Sequence, residues 1–283
     1  MAAKIANLIE ENNTSRFTIS GIDVSYINSL RRTILSDIPI VGIKSSTHKE
    51  NDVNILINTS RFNNEIVKQR LSCIPICLDY LKDKQMAINK YLLEVDVENT
   101  TDTPIIVTTK DFKILNTETK TYLHEHEMKK IFPPFIPQNG DGEYYIDFLR
   151  LRPKISDEIS TDKLPGERIK LTGVFSLCTA REDGMYNVVG TCSYGFTPDQ
   201  TKIEEQLEIR KQGWKDEGKK EEEIKFEAKN WKMLEGLRYT IKNSFDFVIE
   251  SIGIYSNEQI LVEACLILID KLEELKRLIS DGK

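Results

Sequence analysis

Two histidines, His124 and His126, are the pair in this sequence best placed to bind a metal ion. Alternate residues of a strand point to the same face, so the two imidazoles could form half of a metal site, as in a small metal-dependent hydrolase. The surrounding stretch, Asn116 to Gly142, is polar, rich in proline and glycine, and offers no obvious third ligand. Its composition favours an irregular surface loop.

Two cysteines four positions apart, Cys73 and Cys77, are the next candidates, as a redox or metal-binding pair. The intervening Ile74-Pro75-Ile76 instead indicates buried packing. The chain has five cysteines, and they lie in apolar runs where free cysteine behaves as a small hydrophobe. The sequence therefore predicts reduced core thiols.

The motifs of common enzyme classes are missing from the sequence. There is no phosphate-cradling G-x-x-x-x-G-K-[ST], no G-x-G-x-x-G after a strand, no G-x-S-x-G elbow and no H-E-x-x-H. The chain has only three histidines, which leaves few candidates for general-base catalysis. We therefore expect a protein that is not an enzyme on its own.

Composition points to an ordinary globular protein. Its 283 residues are 40% hydrophobic, enough for a core without disulfide or metal cross-links. Because 39 basic and 45 acidic side chains give a net charge of -6, a free-standing nucleic-acid-binding module is disfavoured. The sequence has no basic and apolar leader and no run of about 18 apolar residues, so we expect a soluble, intracellular chain that does not cross a membrane. We also expect no direct sequence-specific binding of nucleic acid.

The stretch Arg16 to Ile43 predicts a strand, a helix and a second strand. Phe17 and Ile19 alternate with polar neighbours, and Gly21 ends that run. Asp23 is a candidate N-cap for the helix. The helix should end at Asp37-Ile38-Pro39, because the residue before a proline avoids helical dihedral angles.

The middle of the chain predicts a separate, mostly β module. Alternation over Asp52 to Asn58 indicates a strand, and Phe62 to Leu71 indicates a short helix. Two more strands are predicted around Leu93 to Glu98 and Ile105 to Thr108.

Further along, the pattern predicts strands over Ile169 to Leu177 and Val188 to Phe196, joined by a turn around Asp183-Gly184. A stretch of mixed charge, Lys202 to Lys232, then predicts two solvated helices or an exposed insertion with surface ion pairs. We assign no chemistry to it.

The last segment predicts a long amphipathic helix. Ser256 and Gln259 form a capping-box pattern, and Tyr255 and Ile260 are placed for a hydrophobic staple around it. Apolar residues then follow spacings of four and three, the seam of a helix that packs lengthwise on another helix: Leu261, Cys265, Leu268, Leu272, Leu275 and Ile279. Further apolar residues widen this stripe, so we expect one side to pack on the chain's own sheet and another on a partner.

Three separated stretches resemble the RNA polymerase alpha family, which includes bacterial alpha, its archaeal counterpart and the eukaryotic third-largest subunit. The first is Asn28-Ser-Leu-Arg-Arg-Thr-Ile-Leu-Ser-Asp-Ile-Pro-Ile-Val-Gly-Ile43. The second runs from Asn58-Thr-Ser60 to Arg70-Leu-Ser-Cys-Ile-Pro-Ile76, with Gln69 where the family commonly has histidine. The third begins Phe245-Asp-Phe-Val-Ile-Glu-Ser-Ile-Gly253 and continues into the last helix.

The resemblance implies an α+β fold in which an alpha-like dimerisation domain, a sheet with two packing helices, is split by an inserted mostly-β domain. Residues 15–45 and 165–283 would form the dimerisation domain, with the charged helical insertion at about 200–235. Residues 46–164 would form the inserted domain.

The resemblance also implies partners. In the family, the alpha-like subunit pairs with a smaller alpha-like chain, and the pair is the platform for the two largest subunits. The implied contacts with a large subunit are Arg31, Arg32, Glu65 and Arg70. We expect Arg31 and Arg32 to differ, one reaching a large subunit and one paired locally, since adjacent helical residues point about 100° apart. The predicted partner interface is Ile27, Leu30, Ile34, Leu261, Cys265, Leu268, Leu272, Leu275 and Ile279.

One departure from the family bears on metals. Many members carry a four-cysteine zinc or iron–sulfur site in the inserted domain, but no cysteine lies between Cys77 and Cys178. We therefore predict no metal and no cofactor. A homodimeric scaffold like bacterial alpha is the nearest alternative, because the apolar seam could pair with itself.

The chain's Asn, Ile and Lys content suggests an AT-rich genome, and a large DNA virus of eukaryotes fits its divergence from cellular members. This leaves the nucleus, a cytoplasmic viral factory and the virion as expected locations.

Overall fold

The computed structural model describes residues 3–45, 51–82, 84, 88–138, 140, 142–154 and 166–282. Its strands are β1 Lys4–Glu11, β2 Thr14–Ser20, β3 Ile40–Gly42, β4 Val53–Asn58, β5 Tyr91–Glu98, β6 Ile105–Thr108, β7 Lys113–Asn116, β8 Thr121–Tyr122, β9 Asp147–Leu151, β10 Arg168–Val174, β11 Ser176–Cys178, β12 Val189–Pro198 and β13 Thr240–Ser251. Its helices are α1 Val24–Ser36, α2 Asn64–Ser72, α3 Glu125–Ile131, α4 Gln200–Asp216, α5 Glu221–Met233 and α6 Asn257–Asp281. This mixture confirms the predicted α+β class.

The chain divides into two compact units, and two of the four divisions fall inside α1 and α6. The first unit comprises Met1–Ile34, Val189–Ser251 and Leu268–Lys283. The second comprises Leu35–Val188 and Ile252–Ile267.

The first unit is built on an antiparallel sheet in the order β1-β2-β13-β12. Phe17 of β2 lies opposite Phe247 of β13, and their rings stack with centroids 5.5 Å apart. Both rings are buried, because alternate residues of each strand share one face. Burying a phenylalanine contributes about 2–3 kcal/mol, so this row forms a large part of the sheet's core.

The predicted cap and stop signals of α1 are present. The Asp23 carboxylate accepts hydrogen bonds from the backbone N–H of Ser25 at 2.9 Å and from its hydroxyl at 2.7 Å, and these bonds lower the pKa of Asp23. The helix ends at Ser36, directly before Asp37-Ile38-Pro39. The start and end of α1 are therefore local consequences of the sequence.

The second unit has an antiparallel sheet in the order β4-β10-β5-β7-β8, and two smaller pairs, β6 with β9 and β3 with β11. Asn99 is fully buried in this unit and has its polar atoms satisfied. Its side-chain N–H groups donate to the carbonyls of Thr103 and Leu151, and its oxygen accepts from the N–H and hydroxyl of Thr101. A buried amide whose nitrogen and oxygen are both hydrogen-bonded fixes the backbone segments that it contacts.

Three local predictions differ from the structure. β1 was not predicted, because all of its residues are exposed and it therefore shows no alternation of buried and solvent-facing types. The loop predicted from Asn116 to Gly142 contains β8 and α3. The two strands predicted on either side of the Asp183-Gly184 turn are present, but they lie in different sheets, since β10 lies between β4 and β5 and β12 pairs with β13.

The predicted domain boundaries do not coincide with the limits of the two units. Arg168–Val174, assigned from the sequence to the dimerisation domain, is paired inside the second unit's sheet. Positions 46, 164 and 165 lie outside the described residues. The division into 15–45 with 165–283 and 46–164 remains a prediction.

Candidate subunit interface

The start of α6 is fixed by the predicted capping box. The N–H of Ser256 donates to Gln259 Oε1 at 2.9 Å, and the N–H of Gln259 donates to Ser256 Oγ at 3.2 Å. Tyr255 and Ile260, the predicted staple, are both buried. Burial raises the pKa of Tyr255, whose hydroxyl donates to the carbonyl of Pro39 at 2.9 Å.

The first turns of α6 are held inside the second unit. Ile260 and Ala264 are fully buried, and Glu263 is nearly so. The Glu263 carboxylate lies 2.7 Å from Lys84 Nζ, which neutralises a charge that would otherwise be costly to bury. These contacts hold the first turns of α6 in place.

The remaining faces of α6 carry a long exposed apolar surface. Seven of its apolar side chains are between 43% and 61% exposed: Val262, Leu266, Ile269, Leu272, Leu275, Leu278 and Ile279. Within the predicted seam, Leu261 and Leu268 are half-buried, whereas Cys265 is exposed like its neighbours further along. Exposed apolar side chains in this number along one helix indicate an interaction site.

That α1 also lines the partner interface stays a prediction, but its predicted interface side chains are already buried in this chain. Ile27 and Ile34 are each only 1% exposed, and Leu30 is buried as well. They form the buried stripe of α1, so their side chains expose little surface in this chain. The sequence pattern could not distinguish this stripe from that of α6.

Arg31 and Arg32 differ in their exposure to solvent. Arg31 is half-buried, and its Nε and Nη2 atoms donate to Asn28 Oδ1 at 3.3 and 3.0 Å. Arg32 is exposed. Arg31 is thus held by a residue one turn away, and Arg32 is the more accessible guanidinium.

Glu65 and Arg70 lie on α2, which begins at its N-cap Asn63. Glu65 is exposed in the first turn. Arg70 Nε donates to the carbonyl of Phe148 at 2.7 Å, and Nη2 donates to that of Asp147 at 3.1 Å. Arg70 therefore ties α2 to β9, and Glu65 presents its carboxylate to solvent.

The histidine pair does not have the geometry considered for a metal site. His124 is the N-cap of α3 and His126 lies in its first turn, so the two do not alternate along a strand. Among the described residues, no group of three or more His, Cys, Asp and Glu side chains could hold a metal ion. The half-site interpretation was wrong because Glu127, which accepts from the N–H of His124 at 3.1 Å, favours a helix start there.

The cysteines are free, and their exposure differs. Cys178 and Cys192 are buried as predicted, and burial raises the pKa of each thiol to about 12. Cys77 is half-buried, while Cys73 and Cys265 are exposed, which corrects the expectation that all five are core thiols.

The sequence also missed an apolar row across the first unit's sheet. Ile5, Ile19, Phe245 and Phe196 lie opposite one another on the four strands in turn. The two central residues are buried, but Ile5 and Phe196 at the ends are exposed. Ile5 gave no signal because β1 was not recognised as a strand.

No helix in the described part of the chain combines the length and apolar character needed to cross a bilayer.

Comparison with known proteins agrees with these features. Residues 16–272 match the model of the RNA polymerase Rpb3/Rpb11 dimerisation domain. The subunit rpac1 of DNA-directed RNA polymerases I and III from Dictyostelium discoideum is 29% identical over 196 residues, covering 69% of this chain and 52% of that protein. Its counterpart RPAC1 from Saccharomyces cerevisiae is 25% identical, covering 93% of this chain and 83% of that protein.

An archaeal protein is similar over a shorter stretch. The DNA-directed RNA polymerase subunit Rpo3 of Thermococcus kodakarensis is 39% identical over 61 residues, or 22% of this chain and 21% of that protein. The chain thus spans about half the length of the Dictyostelium relative and most of the yeast one.

Proposed function

Because the chain belongs to the family of the RNA polymerase Rpb3/Rpb11 dimerisation domain, we propose that it is a non-catalytic assembly subunit of a multisubunit DNA-directed RNA polymerase. Its partner in this proposal is a smaller alpha-like subunit on a separate chain. The heterodimer would then be the platform on which the two largest subunits assemble.

The observation that carries the proposal is the apolar surface of α6. The helix is anchored at one end by Ile260, Ala264 and the Glu263–Lys84 ion pair, and its later turns leave leucine and isoleucine side chains in water. The three-and-four spacing of the seam suits a second helix lying along it. A partner helix would remove this surface from water at roughly 25 cal/mol per Å² of apolar area.

Exposed charged residues on α1 and α2 support contacts with a large subunit. Arg32 and Glu65 face solvent from these two helices. Arg31 and Arg70 are engaged with Asn28 and with the β9 backbone, so in this proposal they position the neighbouring side chains. A guanidinium such as Arg32 suits a carboxylate on the partner.

The alternative is a homodimeric scaffold, in which the α6 seams of two copies pair with each other. We favour the heterodimer because the inserted module and the α4–α5 hairpin resemble the branch of the family that pairs with a smaller chain. In either case the place of action is intracellular. It would be the nucleus or, for a viral chain, a cytoplasmic viral factory and the virion.

The test is the molar mass of the purified chain by light scattering, alone and co-expressed with a smaller alpha-like chain from the same genome. We expect a one-to-one heterodimer. Leu268→Asp and Leu272→Asp should each weaken it at least about tenfold, because each buries a charge in an apolar seam. Leu272 is the cleaner probe because it is exposed in the free chain.

Ile209→Asp is the matched control, since Ile209 is an exposed isoleucine on α4 rather than on α6. A two-copy mass without the partner, abolished by Leu272→Asp, would establish the homodimer instead. A monomer indifferent to the partner and to both seam variants would contradict the proposal.

A further inference from the structure

The α4–α5 hairpin has an inner face that its own packing satisfies. Ile203 and Leu207 of α4 form a buried cluster with Trp231 of α5. Trp214 and Ala228 pack against this cluster from its edge. The two helices therefore need no further partner to bury the side along which they meet.

The opposite side of α5 carries two apolar side chains that are not covered. Phe226 is 66% exposed and Met233 is 62% exposed. Seven residues advance an α-helix by nearly two turns, so these two side chains point the same way, and Phe226 points about 140° away from Trp231. Leu234 and Leu237, just beyond the end of the helix, are exposed as well.

Acidic side chains flank the exposed phenylalanine on the side towards the start of α5, and the exposed Lys229 follows it by one turn. Phe226 lines an open cavity of about 490 Å³ together with Lys219, Glu222, Glu223 and Glu227. Lys219 is already engaged, since its Nζ lies 3.5 Å from Glu217 and 3.7 Å from Glu227.

Glu222 and Glu223 are the carboxylates of this cavity with most to offer a basic partner. In the part of the chain that the structure describes, no basic side chain lies within ion-pair distance of either. The N–H of Lys220 donates to Glu223 at 2.9 Å, which fixes that carboxylate at the start of α5 without neutralising it.

We propose that the α5 outer face, made of Glu222, Glu223, Phe226 and Met233, is a docking surface for a protein segment that carries an arginine beside aliphatic side chains. An arginine guanidinium can stack on the Phe226 ring and at the same time bind a carboxylate. The aliphatic side chains would cover Met233 and the leucines that follow it. Glu222 and Glu223 favour this occupant over an acidic segment, which they would repel.

This surface is separate in sequence from the α6 seam and makes a different demand on its partner. The α6 seam is apolar along its length, so it requires shape and apolar area. The α5 outer face requires a positive charge next to apolar contact. Its binding should therefore weaken as salt is added, since exposed charges are screened over about 8–10 Å at physiological ionic strength.

The test uses the full chain and two labelled amphipathic peptides. The Arg peptide has leucines along one face and arginines beside them, and the Glu peptide has glutamate in place of each arginine. By fluorescence anisotropy we expect the chain to bind the Arg peptide at least about tenfold more tightly than the Glu peptide. Phe226→Ser should remove most of this preference.

Reversing the charge of the two glutamates tests whether the Arg peptide binds at the α5 outer face. In the double variant Glu222→Lys with Glu223→Lys, the preference should invert, so that the Glu peptide binds more tightly than the Arg peptide. Two controls should keep the wild-type preference for the Arg peptide: Ile209→Ser, which removes an exposed isoleucine from α4, and Leu272→Asp, which blocks apolar binding to α6. Circular dichroism confirms that each variant keeps its helices.

Equal binding of the two peptides, or a preference that survives both Phe226→Ser and the charge reversal, would overturn the proposal. Sedimentation tests the competing possibility that a second copy of this chain occupies the α5 outer face. A dimer of this chain that Phe226→Ser dissolves and Leu272→Asp does not would assign the α5 outer face to a second copy instead.

Discussion

Arg181 forms an ion pair with Asp37 at the end of α1. Its Nη2 and Nε atoms donate to the same carboxylate oxygen, Oδ1, at 2.6 and 2.9 Å. The N–H of Arg181 also donates to the carbonyl of Ser36 at 2.9 Å. The Asp37 side chain is only 8% exposed. The two residues are 144 positions apart in the sequence and meet at the Asp37-Ile38-Pro39 segment that ends the helix. The bond links the first family-like motif to the segment after β11.

Removing the arginine should destabilise the chain. Arg181→Met leaves the buried Asp37 carboxylate without this guanidinium, and we expect the free energy of unfolding to fall by about 2 kcal/mol. Urea denaturation measures the change. The double variant Arg181→Met with Asp37→Asn should recover part of it, because no buried charge is left. A double variant as unstable as the sum of the two single variants would argue against a direct interaction.

Gly166 should not tolerate a side chain. A Cβ atom at this position would collide with the backbone carbonyl oxygen of the buried Asn99. Gly166→Ala must therefore displace backbone, and we expect a loss of about 3 kcal/mol or more, measured by thermal or urea unfolding. Gly184→Ala is the matched control, since nothing lies within 4 Å of a Cβ there, and it should change stability by less than about 0.5 kcal/mol.

The capping box of α6 should contribute to the start of that helix. Ser256→Ala removes the oxygen that accepts from Gln259, and we expect a loss of about 1 kcal/mol. Hydrogen exchange should speed up in the first turn of α6. Ser280→Ala, in the last turn of the same helix, should leave both quantities unchanged. Slow exchange in the Ser256 variant would mean that Tyr255 and Ile260 hold the helix start without the cap.

Exposed and buried cysteines should react with thiol reagents at different rates at pH 8. The thiolate is the reactive form, and burial raises the pKa of Cys178 and Cys192 to about 12, so few of these thiols ionise at that pH. Exposed Cys73 should react with a disulfide reagent at least about tenfold faster than either. Raising the pH towards 12 should reduce the difference in reaction rate between Cys73 and the two buried cysteines.

Cys265 tests the dimer interface with the same reagent. It is exposed in the free chain, although burial of its sulfur raises the pKa of the thiol. Bound to the smaller alpha-like chain, Cys265 should be protected while Cys73 reacts at an unchanged rate. Equal reactivity of Cys265 in the free chain and in the complex would place the interface elsewhere.

The sequence by itself determined the local features. The cap at Ser256, the stop before Pro39 and the strand alternation at Phe245 and Phe247 depend on residues within a few positions of each other. Such signals can be recognised without the rest of the chain, and the structure confirms all three. The same motifs carried the family resemblance, which the match over residues 16–272 confirms.

Only the tertiary structure decided which apolar faces are covered. Ile34 of α1 and Leu272 of α6 have the same kind of helical spacing, yet one is buried and the other is exposed. Burial depends on which distant elements pack on a helix, and sequence spacing does not encode this. For the same reason, the neighbouring segments Arg168–Val174 and Val189–Pro198 joined different sheets, because strand pairing is settled by long-range contacts.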